Sequence, residues 1–63
     1  MEFRQLGYFI AIAETGSISA ASRRVHVAQP ALTRQIRLLE EDLGTRLLER
    51  HARGVRLTVA GQA

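Results

Sequence analysis

Gln29-Pro30-Ala31-Leu32-Thr33-Arg34-Gln35-Ile36-Arg37-Leu38-Leu39-Glu40-Glu41-Asp42-Leu43-Gly44 reads as one amphipathic helix with both ends marked. Proline has no N–H and crowds the preceding turn, so Pro30 is tolerated only in a first helical turn and sets the start. Gly44 follows the last periodic residue and can take the left-handed conformation that closes a helix. Successive residues turn by about 100°, which puts Leu32, Ile36, Leu39 and Leu43 on one face. Gln29, Pro30, Thr33, Arg34, Arg37, Glu40 and Glu41 spread over a neighbouring face turned to solvent.

Upstream, two more helices are predicted. The first covers residues 3–14, with Phe3, Leu6, Phe9, Ile10 and Ala13 as its apolar stripe. Gly7 inside it costs about 1 kcal/mol relative to Ala, and Thr15-Gly16 ends it. Ser17 is a good N-cap for a short helix over 18–25. Its Ala20 and Ala21 are small enough for another helix to approach closely, and Ala21 and Val25 share a face. His26-Val27-Ala28 is then a tight connection without Gly or Pro. Two helices of unequal length joined by such a turn make a helix-turn-helix.

Downstream the period changes. Leu47-Leu48-Glu49-Arg50 and Val55-Arg56-Leu57-Thr58 are strand candidates around His51-Ala52-Arg53-Gly54, where Gly54 is free to take positive φ. A hairpin after the second helix gives the winged form of the motif. Thr58 can cap a further helix that begins at Val59 and is cut off at Ala63, as expected of a fragment of a longer protein.

Sixty-three residues amount to one domain at most. With no cysteine, disulfides and thiolate metal ligands are excluded. His26 and His51 have no paired carboxylate company, so no metal or cofactor is expected. No serine–histidine–aspartate or phosphate-loop pattern is present, so an enzyme is not expected. No apolar run is long enough to span a membrane, and a soluble, cytoplasmic domain is the default. The net charge is +3, and all nine basic residues are arginine. Arginine offers a planar, permanently charged fork suited to phosphate and guanine edges.

The exposed face of the 29–43 helix is divided along its length. Gln29, Thr33, Arg34 and Arg37 occupy the first half; Glu40, Glu41 and Asp42 form what reads as a solvated helix end. Acids are repelled by phosphate, so only the N-terminal half can enter a nucleic-acid groove. There Gln can pair with adenine and Arg with guanine, Thr can offer hydroxyl or methyl, and the Pro30 ring and Ala31 methyl can touch a thymine methyl. Arg53 at the hairpin tip can enter a narrow minor groove, with Arg50 and Arg56 beside it on phosphates. Each feature alone also fits a merely solvated surface; their order along the chain favours nucleic acid.

These residues resemble the N-terminal DNA-binding domain of LysR-type transcriptional regulators. The resemblance rests on Phe9-Ile10-Ala11-Ile12-Ala13-Glu14, Gly16-Ser17, Ala20-Ala21, the run Val27 to Ile36, Leu39-Glu40, Leu43-Gly44, Leu47-Leu48-Glu49-Arg50, Arg53-Gly54 and Leu57-Thr58-Val59-Ala60-Gly61. It implies a mostly α, winged helix-turn-helix fold: a three-helix core, a small hairpin wing, and the start of a linker helix. Residues 1–58 would form the DNA-binding domain and 59–63 the beginning of a linker that makes a homodimer or homotetramer. A domain sensing a small-molecule co-inducer would follow. The family's base-contacting positions fall on Gln29, Pro30, Thr33 and Arg34, and its minor-groove residue on Arg53. Ser17, Arg37, Arg50 and Arg56 would hold phosphates. The opening Met1 to Leu6, with Tyr8-Phe9, is similar to members controlling aromatic-compound degradation. Many members have Ser at the position of Ala28; Ala cannot cap, which lowers helix stability by about 1 kcal/mol. Leu48, where many have Phe, packs with a smaller area.

The expected function is thus sequence-specific binding of double-stranded DNA, with helix 29–43 in the major groove and the wing 47–58 at the minor groove. The competing reading is a winged-helix module that docks a protein through the same face.

Overall fold

The computed structural model describes residues 2–51 and 54–62. Three helices come first: α1 (Phe3–Thr15), α2 (Ile18–Val25) and α3 (Gln29–Leu43). A hairpin of β1 (Leu48–His51) and β2 (Gly54–Leu57) follows, and then a short α4 (Val59–Gln62). The three long helices pack against one another, and the antiparallel hairpin leans on α1. The fold is a mostly α, winged helix-turn-helix.

Local chemistry sets the boundaries. Gly16 and Gly44 close α1 and α3 at φ 71° and 69°. Ser17 Oγ accepts the Ala20 N–H at 3.2 Å and caps α2. Pro30 sits in the first turn of α3, and Ala28 makes no side-chain cap. Thr58 Oγ1 accepts the Gly61 N–H at 3.1 Å, starting α4. One feature of the turn between α2 and α3 has no sequence signature: His26 ends α2 with φ 58° and ψ 43°, a left-handed conformation disfavoured for an L residue.

Ala11, Ile12, Ala21, Leu32, Ile36, Leu39, Leu47 and Leu48 form the core, with Tyr8, Phe9, Ile18, Val25, Val27, Val55 and Leu57 packed around it. The expected stripe of α1 is only partly the buried one. Phe3 is 93% exposed and Ile10 53%, and Ala13 also faces solvent. The inward side runs through Gln5, Tyr8, Phe9 and Ile12, at helical spacing. Gln5 can occupy a buried position because its amide nitrogen donates to Gln35 Oε1 of α3 at 3.1 Å, while its own oxygen accepts the Glu2 N–H at 3.3 Å. Leu43, expected inside, is 44% exposed because the last turn of α3 extends past the core.

Helix α1 continues one residue beyond the expected end, to Thr15, whose hydroxyl donates to the Ala11 carbonyl at 2.8 Å. The strands are each shifted by one residue, pairing Leu48 with Leu57 and His51 with Gly54. Just before β1, the Leu47 N–H is taken by Glu40 of α3 at 2.8 Å. Thr58 leaves β2 because its hydroxyl caps α4 and also donates to the Arg46 carbonyl at 2.6 Å.

Candidate nucleic-acid interface

Buried Leu32, Ile36 and Leu39 anchor α3 to the core and turn the opposite side outward. On that side Gln29, Pro30, Thr33, Arg34 and Arg37 line one open depression. Their offsets of 0, 1, 4, 5 and 8 residues keep them on a single face over about two turns. Gln29, Pro30, Arg34 and Arg37 are exposed and Thr33 is half-buried. Among the described residues, neither Arg34 nor Arg37 enters an ion pair. Glu41 follows Arg34 by seven positions, about 10 Å along the axis at 1.5 Å per residue. Arg34 is thus set apart from the acidic end, whereas Arg37, which lines a second depression with Glu40 and Glu41, stands at the border between the two halves. The uncapped start of α3 adds the partial positive charge of a helix N-terminus to the same end.

The remaining expected contacts are placed less uniformly. Ser17 stands at the start of α2, half-buried, with its oxygen engaged as a cap; a hydroxyl in that role still has a proton to donate. Arg56 faces solvent on β2 and meets Glu49 of β1 at 3.4 Å, with side chains 71% and 56% exposed. So exposed a pair contributes little to stability, and Arg56 can exchange it for a phosphate. Arg50 lies in β1 opposite Val55. Arg53 lies outside the described residues.

Glu40 departs from the reading of residues 40–42 as a solvated end. It is half-buried, and one carboxylate oxygen accepts the N–H groups of Leu47 at 2.8 Å and Leu48 at 3.2 Å. On the helical wheel Glu40, four after the buried Ile36 and one after Leu39, borders the inward face, but the wheel carries no sign of the donors it meets. Arg46, which no pattern singled out, is exposed at the mouth of a small cavity between α3 and the wing, lined also by Thr33, Ile36, Arg37, Glu40 and Leu48.

The wing is held from a second side. Val55 donates its N–H to the Gly16 carbonyl at 3.2 Å. Gly54, at φ 135°, approaches the same oxygen so closely that a Cβ would lie 2.6 Å from it. The hairpin is therefore tied to α3 through β1 and to the α1–α2 turn through β2. A two-stranded hairpin is marginal alone, and these ties supply what it lacks. The assembly is an open helix face flanked by a hairpin, and among the described residues no enclosed cavity lies on it.

Residues 3–62 match the family described as "Bacterial regulatory helix-turn-helix protein, lysR family". The chain is 66% identical over 61 residues to the HTH-type transcriptional regulator ClcR of Pseudomonas putida, covering 97% of this chain and 21% of ClcR. It thus spans about a fifth of the length of such relatives. The structure is similar to that of the CbnR DNA-binding domain in complex with DNA (TM-score 0.94, 61% identity, 98% of this chain and 71% of that one). It is similar also to the BenM DNA-binding domain in complex with catB site 1 DNA (TM-score 0.93, 48% identity, 98% and 70%).

Proposed function

This chain belongs to the lysR family of bacterial regulatory helix-turn-helix proteins, and from that premise we propose how it reads DNA. The chain is a sequence-specific DNA-binding module of transcription regulation, not an enzyme. In the proposed mechanism α3 enters the major groove. Gln29 and Arg34 read base edges, and Thr33 and Pro30 refine the fit. Arg53 enters the adjacent minor groove. Ser17, Arg37, Arg50 and Arg56 hold phosphates and so set orientation without reading sequence. The observation that carries this reading is the acid-free N-terminal half of α3, with its five candidate side chains in one open depression. The relatives whose DNA-binding domains were seen on DNA support it.

Residues 1–58 form the DNA-binding domain in this proposal, and α4 begins a linker helix that pairs two copies into a homodimer, or four into a tetramer. A small-molecule co-inducer would act through a further domain of the whole protein. The opening Met1 to Leu6 and Tyr8-Phe9 favour the subgroup that controls aromatic-compound degradation.

The test is selection of duplexes from a random pool, followed by titration at two salt concentrations. An enriched half-site, with affinity falling tenfold or more between about 50 and 200 mM salt, is expected. Salt-insensitive binding of a protein, with no duplex bound at low salt, would replace this reading with the protein-docking one.

A further inference from the structure

We infer that Glu40 is a positioning residue: its carboxylate joins the wing to the reading helix so that both engage DNA as one rigid unit. The inference rests on the DNA-reading role proposed above. Glu40 lies on α3, six residues beyond Arg34, and its Oε2 accepts the N–H groups of Leu47 and Leu48 together. Both leucines are nearly inaccessible, at 5% and 6% exposure. Their N–H groups therefore lack water as an alternative partner, and such groups must be satisfied internally. Charge-assisted bonds of this kind are stronger than neutral ones.

The joint extends further along the chain. The Leu47 carbonyl accepts the Thr58 N–H at 2.9 Å, and Gly61 of α4 lies so near that carbonyl that a Cβ there would collide with it. Thr58 also binds the Arg46 carbonyl and caps α4. One peptide segment, residues 46–48, thus receives α3 through Glu40 and α4 through Thr58. Removing the carboxylate loosens the base of the wing at α3, leaves the Val55–Gly16 bond as the pivot, and keeps every proposed base-contacting side chain of α3 in place. A wing that pivots presents its tip to the minor groove over a range of angles, and the minor-groove contact becomes intermittent.

The experiment compares Glu40→Met, which keeps bulk but has no acceptor, with Glu40→Gln, whose amide oxygen can accept both N–H groups. The probes are a duplex that the parent chain has enriched from a random pool and a scrambled duplex of the same composition. Melting by circular dichroism sets a temperature at which each variant is folded. Glu40→Met should bind the enriched duplex about tenfold more weakly, the size expected if binding must fix again the backbone of about one residue at the freed joint. Its hydroxyl-radical protection should disappear in the minor groove while major-groove methylation protection persists. Glu40→Gln should restore most of both affinity and protection. Should Glu40→Met not fold, Glu40→Asp takes its place, one methylene too short to reach both amides, and the same footprint is expected. A folded acceptor-deficient variant with the parent's affinity and minor-groove protection overturns the joint. So does Glu40→Gln failing in the same way as Glu40→Met. If the parent chain enriches no duplex, the DNA reading itself fails, and that is a separate result.

Discussion

Replacing Gly54 by Ala tests how firmly the wing is seated through its backbone. Gly54 holds φ at 135°, and a Cβ built there falls 2.6 Å from the Gly16 carbonyl oxygen. That oxygen also accepts the Val55 N–H at 3.2 Å. Keeping an L residue in this conformation costs about 1–3 kcal/mol. The clash also lifts the hairpin and gives up the Val55 bond, about 1 kcal/mol net. Together the loss is about 2–4 kcal/mol, against a total of about 3–5 kcal/mol for a single core of this size. At about 4–8 °C per kcal/mol, the melting temperature should fall by roughly 8–30 °C. Far-UV circular dichroism measures the melt, and hydrogen exchange at the Val55 amide reports whether the wing has lifted. Gly7→Ala is the control. Gly7 is exposed within α1 with nothing within 4 Å of a new Cβ, so the same chemical change should stabilise by about 1 kcal/mol. A Gly54→Ala chain that melts within about 2 °C of the parent, with Val55 still protected, would refute the reasoning.

Arg34→Ala should weaken binding to an enriched duplex by about 1–3 kcal/mol and relax its specificity; equal losses on enriched and scrambled duplexes in a fluorescence titration would contradict base reading. Arg50→Ala should weaken both duplexes alike, and a loss confined to the enriched one would overturn its assignment to phosphate. His26→Gly removes the left-handed strain at φ 58°, worth about 1–2 kcal/mol for an L residue and partly offset by the freer unfolded chain; a lowered melting temperature would go against this. Gln5→Leu alone leaves the half-buried Gln35 Oε1 without its donor and should cost about 1 kcal/mol, whereas Gln5→Leu with Gln35→Leu should recover most of it. Equal melting temperatures for the single and double variants would show that the pair is not coupled.

The parts of this fold that were legible in the sequence are those whose chemistry is local. Ser17, Gly16, Pro30, Gly44 and Thr58 cap or close helices within a turn of where they stand, and the ends they mark are observed to within one residue, α1 reaching Thr15. The candidate reading face was legible for a related reason: basic and acidic residues are segregated along α3, and periodicity alone turns them outward. The inward side of α1 was not. Phe3 and Ile10 are as apolar as Phe9 and Ile12, so hydropathy cannot rank the two stripes. The choice is made by Gln35, thirty residues away, which gives the buried Gln5 a partner. Glu40 escaped for the same reason. Beside Glu41 and Asp42 it looks like one of a solvated trio, and only the folded path of residues 47–48 brings it its donors. The left-handed His26 was equally silent, since a histidine in a short turn carries none of the signals that a glycine would.

Ala28 leaves the first turn of α3 without a side-chain oxygen to hold its N–H groups. That turn relies on the fixed φ of Pro30 and on Leu32 in the core, and hydrogen exchange should find it opening more readily than the turns behind it. Gln29 and Pro30 therefore sit on the part of α3 with the most freedom to lose. Fixing a residue's backbone costs about 1–2 kcal/mol, and only a duplex that engages the whole turn returns that much. A mismatched duplex leaves the turn open and forfeits contacts made by its neighbours as well. On the proposed reading role of Gln29 and Pro30, discrimination between sequences then includes the ordering of the protein itself. An Ala28→Ser chain, with the turn closed in advance, should bind all duplexes more tightly and distinguish them less.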